Sequence, residues 1–245
     1  MSKCELTFLE RTPVDYETAL AQHDAYEQFF RDNNCRVISL PAEESLPDSV
    51  FVEDTAVVFD EIAVLMSPGV ESRVREIGLI TPVLAKYKSN LIGIRPPALI
   101  DGGDVLAVGK TVFVGHSTRT NTYGIETLAS ILKPFDYKVV PVAVDGCLHL
   151  KSACTALDES TLLLNPERLD ARDFPGFKIV EISEQEPFGA NTLRLGNKIL
   201  MQFEPGMVTA AIVRRAGFKI SGIDVSEFRK AEGLLTCLSL VFDAN

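Results

Sequence analysis

The stretch Asn90-Leu-Ile-Gly-Ile-Arg-Pro-Pro-Ala-Leu-Ile-Asp101-Gly-Gly-Asp104-Val-Leu-Ala-Val-Gly-Lys110-Thr-Val-Phe-Val114 decides how the chain is read, because it holds one architectural unit nearly whole. Residues 90–94 form a short apolar run with strand character. A polar loop leads to Asp101, and residues 104–107 and 112–114 pair as a hairpin about Gly109-Lys110. Short apolar runs bounded by Gly and Pro are strand and turn signals. A helical pattern over residues 72–86 precedes the unit, so its order is helix, strand, polar loop, hairpin.

The same order recurs along the chain. Residues 16–31 place Leu20, His23, Tyr26, Phe29 and Phe30 near one helical stripe, followed by a strand at 36–40 and a hairpin from 51–58 and 62–66. A third copy runs through the helix 123–132 and the strand 137–142 to strands at 148–150 and 161–164. The fourth has a weak or absent helix near 166–172, a strand at 177–182 and a hairpin about Gly196-Asn197. The fifth comprises the helix 207–215, the strand 218–223 and an apolar, strand-like run from Gly233 to Phe242 that carries Cys237. One polar position per copy, Asp54, Asp101, His149, Asn191 and Cys237, recurs at intervals of 47, 48, 42 and 46 residues. Repeats of roughly 40 to 50 residues are typical of solenoids, propellers and arrays. A closed ring of five such modules turns equivalent positions toward one axis, so residues distant in sequence meet there. The competing arrangement, an open α/β sheet, brings no such convergence.

Bulk properties narrow the function. With 245 residues, 46% hydrophobic and 24% charged, the chain has ordinary globular composition, and residues 1–245 are expected to form a single domain. No apolar run approaches the roughly 20 residues of a membrane span, and the start Met1-Ser-Lys-Cys-Glu lacks a secretory pattern, so the expected location is cytoplasmic. Five scattered cysteines without CxxC spacing indicate neither a disulfide framework nor a structural zinc site. A formal charge of −10 argues against nucleic acid and anionic membranes as partners and suits a small cationic ligand.

The marked positions also suggest chemistry. Cysteine in an apolar run is usually a small buried hydrophobe. Together with His149 and Asp101, however, Cys237 makes a nucleophile, proton shuttle and orienting carboxylate. His23, on the helix stripe, reads as a packed histidine, and His116 as a loop or strand-end residue. Glu53-Asp54 sits within an apolar run, and buried carboxylates require a cation. That cation is either an internal Arg or Lys or a ligand guanidinium, which matches paired carboxylates through two-pronged hydrogen bonds. Since neighbours on an ideal strand face opposite ways, both acids reach one ligand only from a loop or bulge.

Taken in order, Leu40-Pro-Ala-Glu-Glu-Ser-Leu-Pro-Asp48, Val50-Phe-Val-Glu-Asp54, Pro68-Gly-Val-Glu-Ser-Arg73, Asp101-Gly-Gly-Asp-Val105, Arg119-Thr-Asn121, Leu148-His-Leu-Lys-Ser152 and Gly233-Leu-Leu-Thr-Cys237 resemble the dimethylarginine dimethylaminohydrolases, from about Thr12 to Phe242. The resemblance implies a five-bladed α/β propeller, the pentein fold, with pseudo-fivefold ββαβ repeats. It implies Cys237 as nucleophile, His149 as general acid and base, and Asp101 as its partner. Glu53 and Asp54 then bind the guanidinium, Arg73 and Arg119 the amino-acid carboxylate, and Asp48 with the Ala231 carbonyl the α-amino group. The implied reaction converts a methylated arginine to citrulline and an amine through a covalent thiouronium intermediate, without metal or organic cofactor. One departure concerns the start: family members begin with a further strand and a lid, whereas only Met1 to Arg11 precede the matching helix here. The first strand is then missing, Cys4 to Leu9 is a lid remnant, and a shortened chain or a neighbouring subunit of a homodimer accounts for the gap. Two other functions fit the same residues: an arginine deiminase-like hydrolase of another guanidino compound, and a catalytically silent protein that binds a cationic amino acid.

Overall fold

Asp15 accepts a hydrogen bond from the Thr18 amide at 2.8 Å and so starts the first helix, α1 (Tyr16–Asp32). The structure is a computed structural model and describes residues 1, 3–202 and 207–244. Ala19, Gln22, Tyr26 and Phe30 recur at helical spacing and form the buried face of α1. Leu20, expected on that stripe, is exposed, because it lies a quarter-turn from Ala19. His23 is half-buried beside Phe228, with ring centroids 6.2 Å apart.

Twelve strands follow among the described residues, in four sheets of one design. Strands β1 (Ala56–Val58) and β2 (Ala63–Leu65) form an antiparallel hairpin; α2 (Ile77–Leu84) then leads to β3 (Leu91–Gly93), parallel to β2. Strands β4 (Val105–Val108) and β5 (Thr111–His116) are followed by α3 (Thr122–Leu132) and β6 (Lys138–Ala143). A single helical turn, α4 (Leu150–Ala153), precedes β7 (Cys154–Ala156) and β8 (Thr161–Leu164), which pair with β9 (Lys178–Glu181). The last sheet joins β10 (Thr192–Leu195), β11 (Lys198–Gln202) and, after α5 (Val208–Arg215), β12 (Lys219–Ile223). The final helix is α6 (Ser226–Arg229). Each sheet thus takes its third strand from across a connection that holds a helix, or in the third sheet a short 3-10 turn, as a parallel neighbour requires.

The central strands are mostly apolar at their buried positions: Leu162, Leu163 and Leu164 of β8 and Val112 and Val114 of β5 have no exposed surface. Such double-sided burial explains why these runs do not alternate. The core is divided between successive sheets, one cluster uniting Val64 and Ile100 with Val114 and Leu128, another Phe113 and Leu150 with Leu162 and Phe174. No helix among the described residues is long and apolar enough to cross a membrane.

Four expectations are corrected. Residues 36–40 form no strand. Residues 148–150 are not a strand either: the Leu150 amide donates to the Asp104 carboxylate and the Ser152 amide to the His149 carbonyl, which curls the backbone into α4. The helix expected over 72–86 divides into a 3-10 turn (Glu71–Glu76) and α2, as the Arg73 amide bonds three residues back to Val70. Cys237 lies in a 3-10 turn (Thr236–Leu238) rather than a strand, its amide donating to the Leu234 carbonyl at 3.2 Å.

Each marked position lies in or beside the turn that enters the first strand of a hairpin, or in the corresponding turn of the fifth copy. These turns are linked in a closed circuit. The Asp54 carboxylate accepts from the Gly103 amide at 2.9 Å, and Asp104 accepts from the Leu150 amide at 2.9 Å. Asn191 donates to the Lys151 carbonyl at 2.8 Å and accepts from the Thr236 amide at 3.2 Å. The Thr236 hydroxyl donates to Glu53 at 2.7 Å, returning the circuit to its start. Residues from opposite ends of the chain thereby face one interior.

Candidate active site

Cys237 reaches that interior because the backbone before it reverses tightly. Glu232 adopts a left-handed conformation, φ 59°, and Gly233 packs so closely on the Phe51 ring that any β-carbon there would overlap it. Tyr26, on the buried face of α1, donates to the Leu235 carbonyl at 2.7 Å and holds the same segment from behind. Burial first, then the nearby charges of Glu53 and Asp54, push the Cys237 thiol well above its usual range, with the Leu234 contact and Lys151 acting weakly the other way. Beside these charges it is therefore a protonated thiol.

His149 is 2% exposed and lines the same cavity as Cys237. Its Nε2 lies 3.1 Å from Asp101 Oδ2 and 3.8 Å from Asp54 Oδ1. Burial acts most strongly and favours the neutral ring, but Asp54, Asp101 and Asp104 together override it and push His149 up to about 9. Asp101, fully buried, is fixed by the Gly69 amide at 2.8 Å. Gly103 makes this approach possible: a β-carbon there would come within 2.5 Å of the imidazole Nδ1 and 2.8 Å of Asp54 Oδ1.

The adjacent acids do emerge from a turn, a 3-10 turn (Val52–Thr55), and each has met an internal cation. Glu53 bonds to Lys151 Nζ at 2.6 Å and to the Thr236 hydroxyl at 2.7 Å; burial nonetheless holds its affinity for a proton above normal. Asp54 pairs with Arg73 at 2.5 Å. Burial would raise Asp54, yet His149, Arg73 and the Gly103 amide hold it down to about 2. Arg73 is 4% exposed and also bonds the Glu76 carboxylate and the Phe51 carbonyl.

Arg119 donates to the Thr7 hydroxyl at 3.0 Å, and its other terminal nitrogen lies 3.7 Å from Asp101. Asp48, raised by burial, accepts the Glu5 amide at 3.1 and 3.2 Å. Ala231 lies at the cavity wall. Across the mouth runs the segment 4–9. The Glu232 carboxylate collects three of its successive amides, from Thr7 at 3.0 Å, Phe8 at 2.5 Å and Leu9 at 2.6 Å. Beneath this strap the cavity measures about 20 Å³, room for a single water.

Of the residues singled out from sequence, Cys237, His149, Asp48, Asp54, Arg73, Arg119 and Ala231 line this cavity, while Asp101 and Glu53 stand behind it. Sequence reasoning passed over Lys151, Thr236, Asp104 and Glu232. Lys151 and Thr236 lay inside quoted motifs, two residues after His149 and one before Cys237; Glu232 gave no signal. Ligand atoms of Asp54, Asp101 and His149 lie within 4.8 Å of one another, a grouping that could hold a metal ion. Here the raised imidazole already supplies the positive charge between the carboxylates.

Residues 9–205 match the family described as N,N dimethylarginine dimethylhydrolase, eukaryotic. The N(G),N(G)-dimethylarginine dimethylaminohydrolase of Streptomyces coelicolor is 36% identical over 96% of this chain and 90% of its own length. Among solved structures, a cysteine-to-serine variant of the Pseudomonas aeruginosa enzyme complexed with citrulline is similar at a TM-score of 0.91 and 31% identity, covering 97% of this chain and 93% of that one. A histidine-to-glycine variant of a dimethylarginine dimethylaminohydrolase, as its adduct with S-methyl-L-thiocitrulline, gives 0.90 and 30% over the same shares.

Proposed function

Since the chain belongs to the dimethylarginine dimethylaminohydrolase family and is a hydrolase acting on C–N bonds, we propose that it converts Nω,Nω-dimethyl-L-arginine and water to L-citrulline and dimethylamine through a covalent intermediate on Cys237. The observation that carries this reading is the thiol of Cys237 and the imidazolium of His149 on one buried, acid-walled cavity.

The guanidinium of the substrate enters between Cys237 and the carboxylates of Glu53 and Asp54. Its positive charge offsets the two anions that, after burial, hold the thiol protonated, so the thiol gives its proton to water as the electrophile arrives. The thiolate attacks the guanidinium carbon to give a tetrahedral adduct, and the carboxylates stabilise the cationic thiouronium that forms as the amine departs. His149, protonated at neutral pH, gives its proton to the departing dimethylamine. The neutral imidazole then takes a proton from water, the resulting hydroxide attacks the thiouronium carbon, and the C–S bond breaks as the adduct's hydroxyl proton passes to the sulfur, releasing citrulline and restoring the Cys237 thiol. Asp101 holds the ring in place throughout. Every proton in this sequence passes between protein, substrate and water, so no metal or organic cofactor is required.

At the far end of the substrate, Arg119 and the remaining Nη1 hydrogen of Arg73 take the α-carboxylate, while Asp48 and the Ala231 carbonyl take the α-amino group. The strap over residues 4–9 has to lift for a substrate to enter, since the cavity beneath it has room only for water. The four sheets and the circuit of turns support a five-bladed propeller in which residues 1–245 act as one domain, the fifth blade built from the two ends of the chain. The same reading makes the protein cytoplasmic, with a small guanidino substrate, no nucleic-acid or membrane partner, and a homodimer as its candidate assembly.

Citrulline release from dimethylarginine, monomethylarginine and arginine, each compared with the Cys237→Ser variant, tests the proposal. Turnover that favours the dimethyl substrate and vanishes in the variant supports it. Turnover of arginine alone assigns a deiminase, and binding without product assigns a silent receptor.

A further inference from the structure

We infer that Asn191 and Thr236 are positioning residues that hold the Glu53 carboxylate toward the substrate cation and tie it to the turn carrying Cys237. The inference rests on the proposed reaction and adds to it two side chains that never touch substrate. Asn191 holds in the fourth copy the place filled elsewhere by Asp54, Asp101, His149 and Cys237, yet its side chain carries no charge.

Its hydrogen bonds explain why an amide is needed there. Asn191 Nδ2 donates to the Lys151 carbonyl at 2.8 Å and to the Thr236 hydroxyl at 3.0 Å, while Oδ1 accepts from the Thr236 amide at 3.2 Å. A carbonyl can only accept and an amide N–H can only donate, so the orientation of the side chain is forced. A carboxylate at this position would face the Lys151 carbonyl without a hydrogen. Because the Thr236 hydroxyl accepts from Asn191, its own hydrogen is directed to Glu53 Oε2 at 2.7 Å. The other Glu53 oxygen takes Lys151 Nζ at 2.6 Å. Asn191, Thr236 and Glu53 are all buried, so water cannot substitute for a lost donor without rearrangement. The relay therefore joins four copies of the repeat and fixes which way one carboxylate points.

The test uses two alkylating agents on the full chain, with the rate at Cys237 read by peptide mass mapping. Chloroacetamidine is cationic and is drawn in by the Glu53 field; iodoacetamide is neutral and reports thiol access and ionisation, which the ratio of the two rates cancels. Thr236→Val and Asn191→Leu should lower the amidine-to-iodoacetamide rate ratio about tenfold or more, the worth of one hydrogen bond to an ionised group. Thr236→Ser, which restores the donor, should return it to within about twofold of the parent. Should the two apolar variants fail to fold, Thr236→Ala removes the same donor with less crowding. A ratio unchanged in the variants without the hydroxyl overturns the inference, as does an equal loss in Thr236→Ser. A parent protein that shows the amidine preference but releases no citrulline refutes the hydrolase reading and leaves the relay standing; full turnover with an unchanged ratio in Thr236→Val does the reverse.

Discussion

Replacing Asp101 by asparagine keeps the shape of the side chain and removes one negative charge 3.1 Å from His149 Nε2. In the parent protein His149 stands at about 9 against an ordinary 6.5, a shift equivalent to about 3 kcal/mol. A base whose folded value is raised stabilises the native state fully below about 6.5, and the contribution fades as pH climbs through about 9. An adjacent opposite charge moves a pKa by roughly 1 to 3 units, so Asp101→Asn should bring His149 down to about 7 or 8, with Asp54 at 3.8 Å and Asp104 still acting on it. The variant should therefore lose roughly 1 to 3 kcal/mol of stability at pH 6, and less as the pH approaches 9. Ring proton resonances follow the change directly, since the chain has only 3 histidines and His149→Ala identifies the relevant one. Chemical denaturation across pH 6 to 9 and the alkaline limb of kcat give two further readings. An unchanged titration of His149 in the variant would refute the claim that the carboxylates set its charge, and an unmoved alkaline limb would refute its role as the acid.

Glu53→Gln should act in opposite directions on two observables: removing the anion lowers the thiol pKa, so iodoacetamide alkylates Cys237 several-fold faster near pH 8, while KM for dimethylarginine rises about tenfold or more. Arg73→Met leaves Asp54 and Glu76 buried without their cation and should cost about 3 to 5 kcal/mol, seen as a fall in Tm. Glu232→Ala removes the common acceptor of the Thr7, Phe8 and Leu9 amides; their hydrogen exchange should accelerate about tenfold or more while exchange in β5 and β8 stays as it was.

The α/β alternation and the repeat were legible because the strands that build the sheets are short apolar runs separated by loops and turns with Gly, Asn or Asp, and those signals are local. Cys237 and His149 could be picked out as chemistry, but not the backbone that carries them. The run 233–242 is as apolar as β8, and what separates the two is tertiary: Phe51 crowds Gly233, and the Cys237 amide is satisfied within its own turn. Likewise residues 148–150 look extended until Asp104, from another copy, takes the Leu150 amide. The sequence left open whether Glu53 and Asp54 meet a ligand or an internal cation. Lys151 and Arg73 pair with them, a pairing across copies that no local pattern encodes. The latch at Glu232 was invisible for the same reason, since its partners lie more than 200 residues earlier in the chain.

The central claim is that the Cys237 sulfur bonds to the guanidinium carbon during turnover. Acid quenching of the protein with dimethylarginine during steady-state turnover, followed by peptide mapping, tests it most directly. A thiouronium mass on the peptide containing Cys237, absent from peptides bearing Cys4, Cys35, Cys147 and Cys154 and lost in Cys237→Ser together with citrulline, is the predicted result. Citrulline formed at an undiminished rate by Cys237→Ser would contradict it.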